Sequence, residues 1–189
     1  MGGNKEDITH FKQQMLDEFE MSDIGELNYF LGIEFTKIKH GIIMHQTKYT
    51  QDLLKRFRME NSNPAITPAE AGLKLESAPD EEFVNATDYR RIVGSLRYLC
   101  NSIPDLSFSV GLISRHMQDP KESHMCAAKR ILRYLQGTIG SGILFPHGKA
   151  DSELQLVGYS DSDWCGDRSD RKSTAGYIFF LGGAPISCK

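Results

Sequence analysis

The stretch GYSDSDWCGD, Gly158 to Asp167, gathers Asp161, Asp163 and Asp167 within seven residues. Carboxylates are hard oxygen donors suited to magnesium. Two-metal phosphoryl-transfer centres need several of them converging on ions about 3.5–4 Å apart. The residues just before, LQLVGYS, are apolar-rich and predict a strand from Leu154 to Ser160. Asp161 then sits in register at the strand's end, where it could offer one metal ligand. Asp163 and Asp167 fall in the following turn, where solvation or turn-stabilising hydrogen bonds explain them equally well. One strand-end carboxylate cannot hold two ions.

A second chemistry is phosphate contact. Lys129, Arg130 and Arg133 are read on one side of one helical segment, and Arg90, Arg91 and Arg97 on one side of another. Cations at helix-turn spacing can follow a nucleic-acid backbone and release its counterions; the plainer reading is a solvated helix face. LNYFLGIEF reads as a strand pair with Gly32 at its centre, where the glycine permits close approach of another backbone, or only a bulge or tight packing. No nucleophilic triad is legible, and no Gly-rich phosphate loop opens a helix. His124 and Cys126 stand two apart, which on a helix aims them to different sides and argues against a shared metal.

The elements that must carry these groups are legible from spacing. Glu6 to Phe19 predicts an amphipathic helix through Ile8, Phe11, Met15 and Phe19. Leu27 to Ile38 predicts a strand, Lys39-His40-Gly41 a turn, Ile42 to His45 a returning strand, and Gln46 to Phe57 a helix. Asn61 to Asn85, with Pro64, Pro68 and Pro79, predicts a linker. Three helices are expected next: Thr87 (as N-cap) to Cys100, Pro104-Asp105 to Met117, and Asp119-Pro120 to Gly137. Phe108 and Leu112 widen the middle helix's apolar stripe, so burial on most sides is expected. After a second linker come strands at Leu154 to Ser160, Gly176 to Leu181 and Ala184 to Cys188, with Gly182-Gly183 as a hairpin turn. Apart from the helices upstream, nothing in the sequence remains to bury that sheet, so the chain looks cut off inside a domain.

The totals set outer bounds. At 189 residues, 40% hydrophobic and 25% charged, the chain is ordinary globular material of one sizeable domain or two small ones. Its net charge of -3 gives no whole-chain nucleic-acid signal. Cys100, Cys126, Cys165 and Cys188 form no CxxC pair and read as reduced thiols of an intracellular protein, cytoplasmic or nuclear. No apolar run is long enough for a membrane span, and MGGNKEDITHFK has no signal-peptide apolar core.

Four stretches together resemble one family. FLGIEF, YRRIVGSLRYLCNSIPDLSFSVGLISRHMQDP, AAKRILRYLQGT and GYSDSDWCGDRSDRKSTAGYIFFLGG are similar, in order and over nearly the whole chain, to the Pol polyprotein of copia-type LTR retrotransposons. In that polyprotein a reverse transcriptase precedes a ribonuclease H domain. The resemblance implies an α+β fold, with a helical centre between a palm-end β-hairpin and a truncated ribonuclease H-like antiparallel sheet. It divides the chain into the end of the palm (1–59), a linker (60–86), a helical thumb and connection (87–145), a linker (146–153) and the first ribonuclease H strands (154–189). Tyr29 to Phe35 resembles the primer grip, which nominates Phe30, Leu31 and Gly32 as nucleic-acid contacts beside the six cations above. The first ribonuclease H aspartate falls on Asp161, a magnesium ligand in the complete parent enzyme.

The family's paired-aspartate polymerase motif would lie upstream of GGNKEDITHFK, and the other ribonuclease H acids beyond Lys189. The parent activity is RNA-directed DNA synthesis with cleavage of RNA in RNA–DNA hybrids. This segment is expected to be inactive by itself, to bind RNA–DNA or DNA duplex weakly and without sequence preference, and to associate with other Pol segments. Open alternatives are a domesticated, non-catalytic nucleic-acid-binding protein, a structural or interaction module, and a nuclease using the aspartate cluster alone.

Overall fold

The computed structural model describes residues 5–73, 75, 81–147, 155–166, 171 and 173–188. Four helices build the core: α2 (Thr47–Arg56), α3 (Ala86–Leu99), α4 (Ser107–Ser114) and α5 (Glu122–Gly137). α2 buries Leu53 and Leu54; α3 buries Tyr89, Ile92, Val93, Leu96 and Leu99. α5 meets them with Ala128, Ile131, Leu132 and Leu135 at the i, i+3, i+4, i+7 spacing of one helical face. Each fully buried Leu or Ile here contributes about 1.5–3 kcal/mol. The Tyr89 hydroxyl donates to the Ile113 carbonyl at 2.7 Å, which satisfies the one polar atom that Tyr89 takes inside.

Helix starts differ from the sequence expectation in instructive ways. α3 is capped by Asn85, not Thr87: the Asn85 side chain accepts from the Thr87 and Asp88 amides at 2.9 and 3.2 Å. α5 begins at Glu122 rather than at Asp119-Pro120. Its first amides are satisfied from outside, with Glu81 accepting from the Ser123 N–H at 3.1 Å. The segment before it is paired instead, through a bridge between Phe83 and Lys121 and a Val84 N–H to Pro120 carbonyl bond of 3.0 Å. The middle helix is split into a 3-10 turn, Pro104–Leu106, and α4, which stops at Ser114. It is not buried on most sides: Phe108 is exposed, and Leu106 of the turn with Ser109, Val110 and Ile113 of α4 lie fully inside.

A four-stranded antiparallel sheet runs β1 (Tyr29–Phe30), β2 (Ile33–Ile38), β3 (Gly41–His45) and β4 (Gly142–Pro146), in that order. The stretch from Leu27 to Ile38 is broken at Leu31-Gly32 into a hairpin, the strand pair about Gly32 that LNYFLGIEF suggests rather than one continuous strand. Its two turn residues, Leu31 and Gly32, both have positive φ, 48° and 81°, the geometry of a type I′ turn. β4 was hidden at the end of the helical region; it closes the sheet by pairing Gly41 through His45 with Pro146 through Gly142. The sheet is tied to α2 by Glu34, which accepts the Lys48 N–H at 2.9 Å.

The second sheet is β5 (Leu156–Ser162), β6 (Ala175–Leu181) and β7 (Ala184–Cys188), antiparallel throughout. β6 and β7 turn at Gly182-Gly183, φ 59° and 88°, the expected hairpin. The Phe179 ring lies over Gly158, where a Cβ would come within 2.6 Å of it. β5 is exposed along its whole length among the described residues. The sheet meets the rest of the molecule where β7 lies beside β4, and through a 2.6 Å bond from Arg115, just past α4, to the Thr174 hydroxyl. The remaining helix, α1 (Lys5–Glu18), keeps Ile8, Phe11 and Leu16 exposed; the Lys12–Asp23 ion pair at 2.6 Å fastens it to the segment that follows.

Candidate nucleic-acid interface

The hairpin tip leans on α3. A Cβ on Gly32 would come within 2.8 Å of the Tyr98 hydroxyl, so the close approach at this glycine is to a side chain rather than to another backbone. Tyr98 in turn packs edge-on against Tyr49 of α2, with ring centroids 4.9 Å apart. The tip is thereby set on the helical unit, while Tyr29, Phe30 and Leu31 face outward; Leu31 is 71% exposed. Leu31 is a bulky residue in a left-handed conformation where Asn or Gly is usual.

The six cations expected on two helix faces do not share two faces. On α3, the Arg90 Nε donates to the Met117 carbonyl at 2.9 Å and holds the end of the α4 segment. Arg91 turns the other way, toward α2 and α5, with an exposed contact to Asp88 at 3.4 Å. Arg97 is exposed. On α5, Arg130 is fixed by Glu70 at 2.8 Å and by the Thr67 hydroxyl at 3.2 Å. Arg133 donates to the Asn63 carbonyl at 2.7 Å. Two of the three α5 cations therefore bind the 61–71 loop to the helix. Lys129 faces an open cavity of about 600 Å³ between α2, α3 and α5, shared with Arg91, Arg56 and Arg58. Sequence reading missed the last two. Their signal was the basic end of the Gln46 to Phe57 helix, which placement alone joins to α5.

Asp161 lies inside β5, opposite Gly176, because the strand runs two residues farther than expected. It is exposed, and its Oδ1 accepts the Ser162 N–H at 2.9 Å. Asp163 closes the turn: its Oδ1 accepts the Thr174 N–H at 2.7 Å. Asp167 lies outside the described residues. Among the described residues no three His, Cys, Asp or Glu side chains come together to hold an ion. One exposed carboxylate already bonded to its neighbour does not fit a magnesium centre, and no metal-dependent step follows from it. His124 is buried and Cys126 exposed, on different sides of α5.

The reverse transcriptase (RNA-dependent DNA polymerase) family profile matches residues 1–71. The Retrovirus-related Pol polyprotein from transposon RE1 of Arabidopsis thaliana is 42% identical over 186 residues, 98% of this chain and 12% of that polyprotein. This chain belongs to the copia-type retrotransposon Pol family. The Pol polyprotein from transposon TNT 1-94 of Nicotiana tabacum is 34% identical over 197 residues, 99% of this chain and 14% of its own length. The Pol segment thus spans about an eighth of the polyproteins it matches. A shorter relative, an uncharacterized mitochondrial protein of Arabidopsis thaliana, is 38% identical over 170 residues, 89% of this segment and 69% of that protein. No solved structure matches.

Proposed function

We propose that this Pol segment grips nucleic acid within a reverse transcriptase and carries no catalysis of its own. The observation that carries the reading is the seating of the β1–β2 tip on α3: Gly32 against Tyr98 fixes three outward apolar residues relative to the exposed cations Arg91, Arg97 and Lys129. In this reading the apolar tip and these cations each contact a helical substrate with a charged backbone and stacked ends. In this reading β1–β2 is the primer grip, α3 to α5 belong to the thumb and connection, and β5–β7 are the first strands of a ribonuclease H domain. Arg90, Arg130 and Arg133 act by holding that frame. Asp161 takes the position of the first ribonuclease H aspartate but works here as a partner of the Ser162 N–H, and the 189 residues contain no adjacent aspartate pair.

The test pairs binding with chemistry. The purified segment should shift an RNA–DNA hybrid at low salt, and should neither extend a primer with magnesium and nucleotides nor cleave the RNA strand. Template-dependent extension lost on mutation within the segment, or no hybrid binding at low salt, would overturn the reading. A second reading is a domesticated, non-catalytic nucleic-acid-binding protein with the same interface, motivated by a relative of which this segment covers 69%; hybrid affinity that stays unchanged when the neighbouring Pol segments are supplied would favour it over the first.

A further inference from the structure

The cavity between α2, α3 and α5 has a cationic rim and an apolar floor. Arg56, Arg58, Arg91 and Lys129 stand at the rim, against a single acid, Asp88. Phe57, Ile92 and Leu132 contribute to the floor. Among the described residues, Arg56, Arg58 and Lys129 enter no ion pair, in contrast to Arg130 and its bond to Glu70. The one pair on the rim, Arg91–Asp88, is exposed on both sides and leaves the guanidinium available.

Arg58 adds an independent sign. α2 ends in a Schellman motif: the Met59 N–H reaches the Leu54 carbonyl at 2.8 Å and the Arg58 N–H the Lys55 carbonyl at 3.0 Å. The motif places Arg58 in the left-handed region, φ 56°, where glycine is the usual occupant and a side chain is strained. A strained backbone that keeps a long cation at a cavity's edge points to a task for the cation.

We propose that this cavity takes one unpaired nucleotide of a single strand, its base on the apolar floor and the flanking phosphates on the rim. Four cations less one acid exceed the charge of one phosphate group, so successive phosphodiesters suit the rim better than a free mononucleotide. A volume of about 600 Å³ has room for a base and sugar. Stacking plus a positive channel is how single strands are held without sequence preference. The proposal rests on the nucleic-acid reading and deepens it.

The experiment uses the full 189-residue chain and a labelled 12-nucleotide single-stranded DNA, read by fluorescence anisotropy. The wild type should bind the normal strand about tenfold more tightly than an abasic strand of equal length. Inorganic phosphate and thymidine monophosphate should compete poorly. The triple variant Arg56→Ala, Arg58→Ala, Lys129→Ala should lower the salt slope by about two units, at ~0.7 per lost phosphate contact; Lys39→Ala, on the far β2–β3 turn, should leave it unchanged. Arg58→Gly separates function from fold: it should weaken strand binding while the Tm stays level or rises. Equal binding of normal and abasic strands, an unchanged slope in the triple variant, or strong competition by the monophosphate would overturn the cavity assignment. If the wild type binds the hybrid and only these single-strand effects fail, the cavity is wrong and the wider reading stands; if it binds neither, the wider reading itself fails.

Discussion

His124 is buried at the first turn of α5, where its Nδ1 accepts the Lys121 N–H at 2.9 Å. Nδ1 as acceptor assigns the proton to Nε2, so a second proton must displace the Lys121 bond and undo the helix's start. Burial first, then the His116 ring stacked 3.9 Å away, with Lys121 in the same sense and Glu81 opposing, pulls the imidazole from 6.5 down to about 4. The unfolded chain takes up its proton near 6.5 and the folded chain only near 4. Stability from this group is therefore complete above pH 6.5 and is lost as pH falls through that window. The urea midpoint should drop between pH 6.5 and 4, and His124→Gln should flatten that drop; identical pH profiles for the two proteins would refute the assignment. Gly32→Ala makes a second residue-scale test. A Cβ there meets the Tyr98 hydroxyl at 2.8 Å in a left-handed backbone, so a loss of about 1–2 kcal/mol is expected in denaturant melts.

At the scale of elements, the apolar periodicities of α2, α3 and α5 were legible because each buries one stripe. Boundaries were less so, because caps came from residues that a local pattern undervalues. Asn85 holds the cap that the sequence pattern assigns to Thr87, since its side chain reaches two amides. Asn85→Ala should cost about 1 kcal/mol in thermal or denaturant unfolding, and Thr87→Ala much less; the reverse order would restore the sequence reading. β4 could not be seen at all from GILFP alone, as its pairing with β3 is long-range. Asp161 was legible as a strand-end acid, yet it lies inside β5 because β5 and β6 pair as far as Ser162 and Ala175. The division of the six cations was invisible for the same reason as β4. Only the docking of the 61–71 loop on α5 shows that Arg130 and Arg133 are engaged while Lys129 is left at the cavity.

The whole molecule reads as an α+β unit whose helical core fixes an apolar hairpin tip and a set of exposed cations, with a second sheet that meets the first where β7 lies beside β4. Its net charge of -3 should oppose a polyanion at long range, so binding must come from local positive surface. That is the central claim, and salt is its most direct probe. Affinity for an RNA–DNA hybrid should be measured across about 50 to 200 mM salt. A surface using Arg91, Arg97 and Lys129 should give a straight log–log fall with a slope near -3, at ~0.9 per phosphate neutralised, and the triple Ala variant of those three should be nearly salt-independent. A wild-type slope near zero, or a triple variant with the wild-type slope, would contradict it.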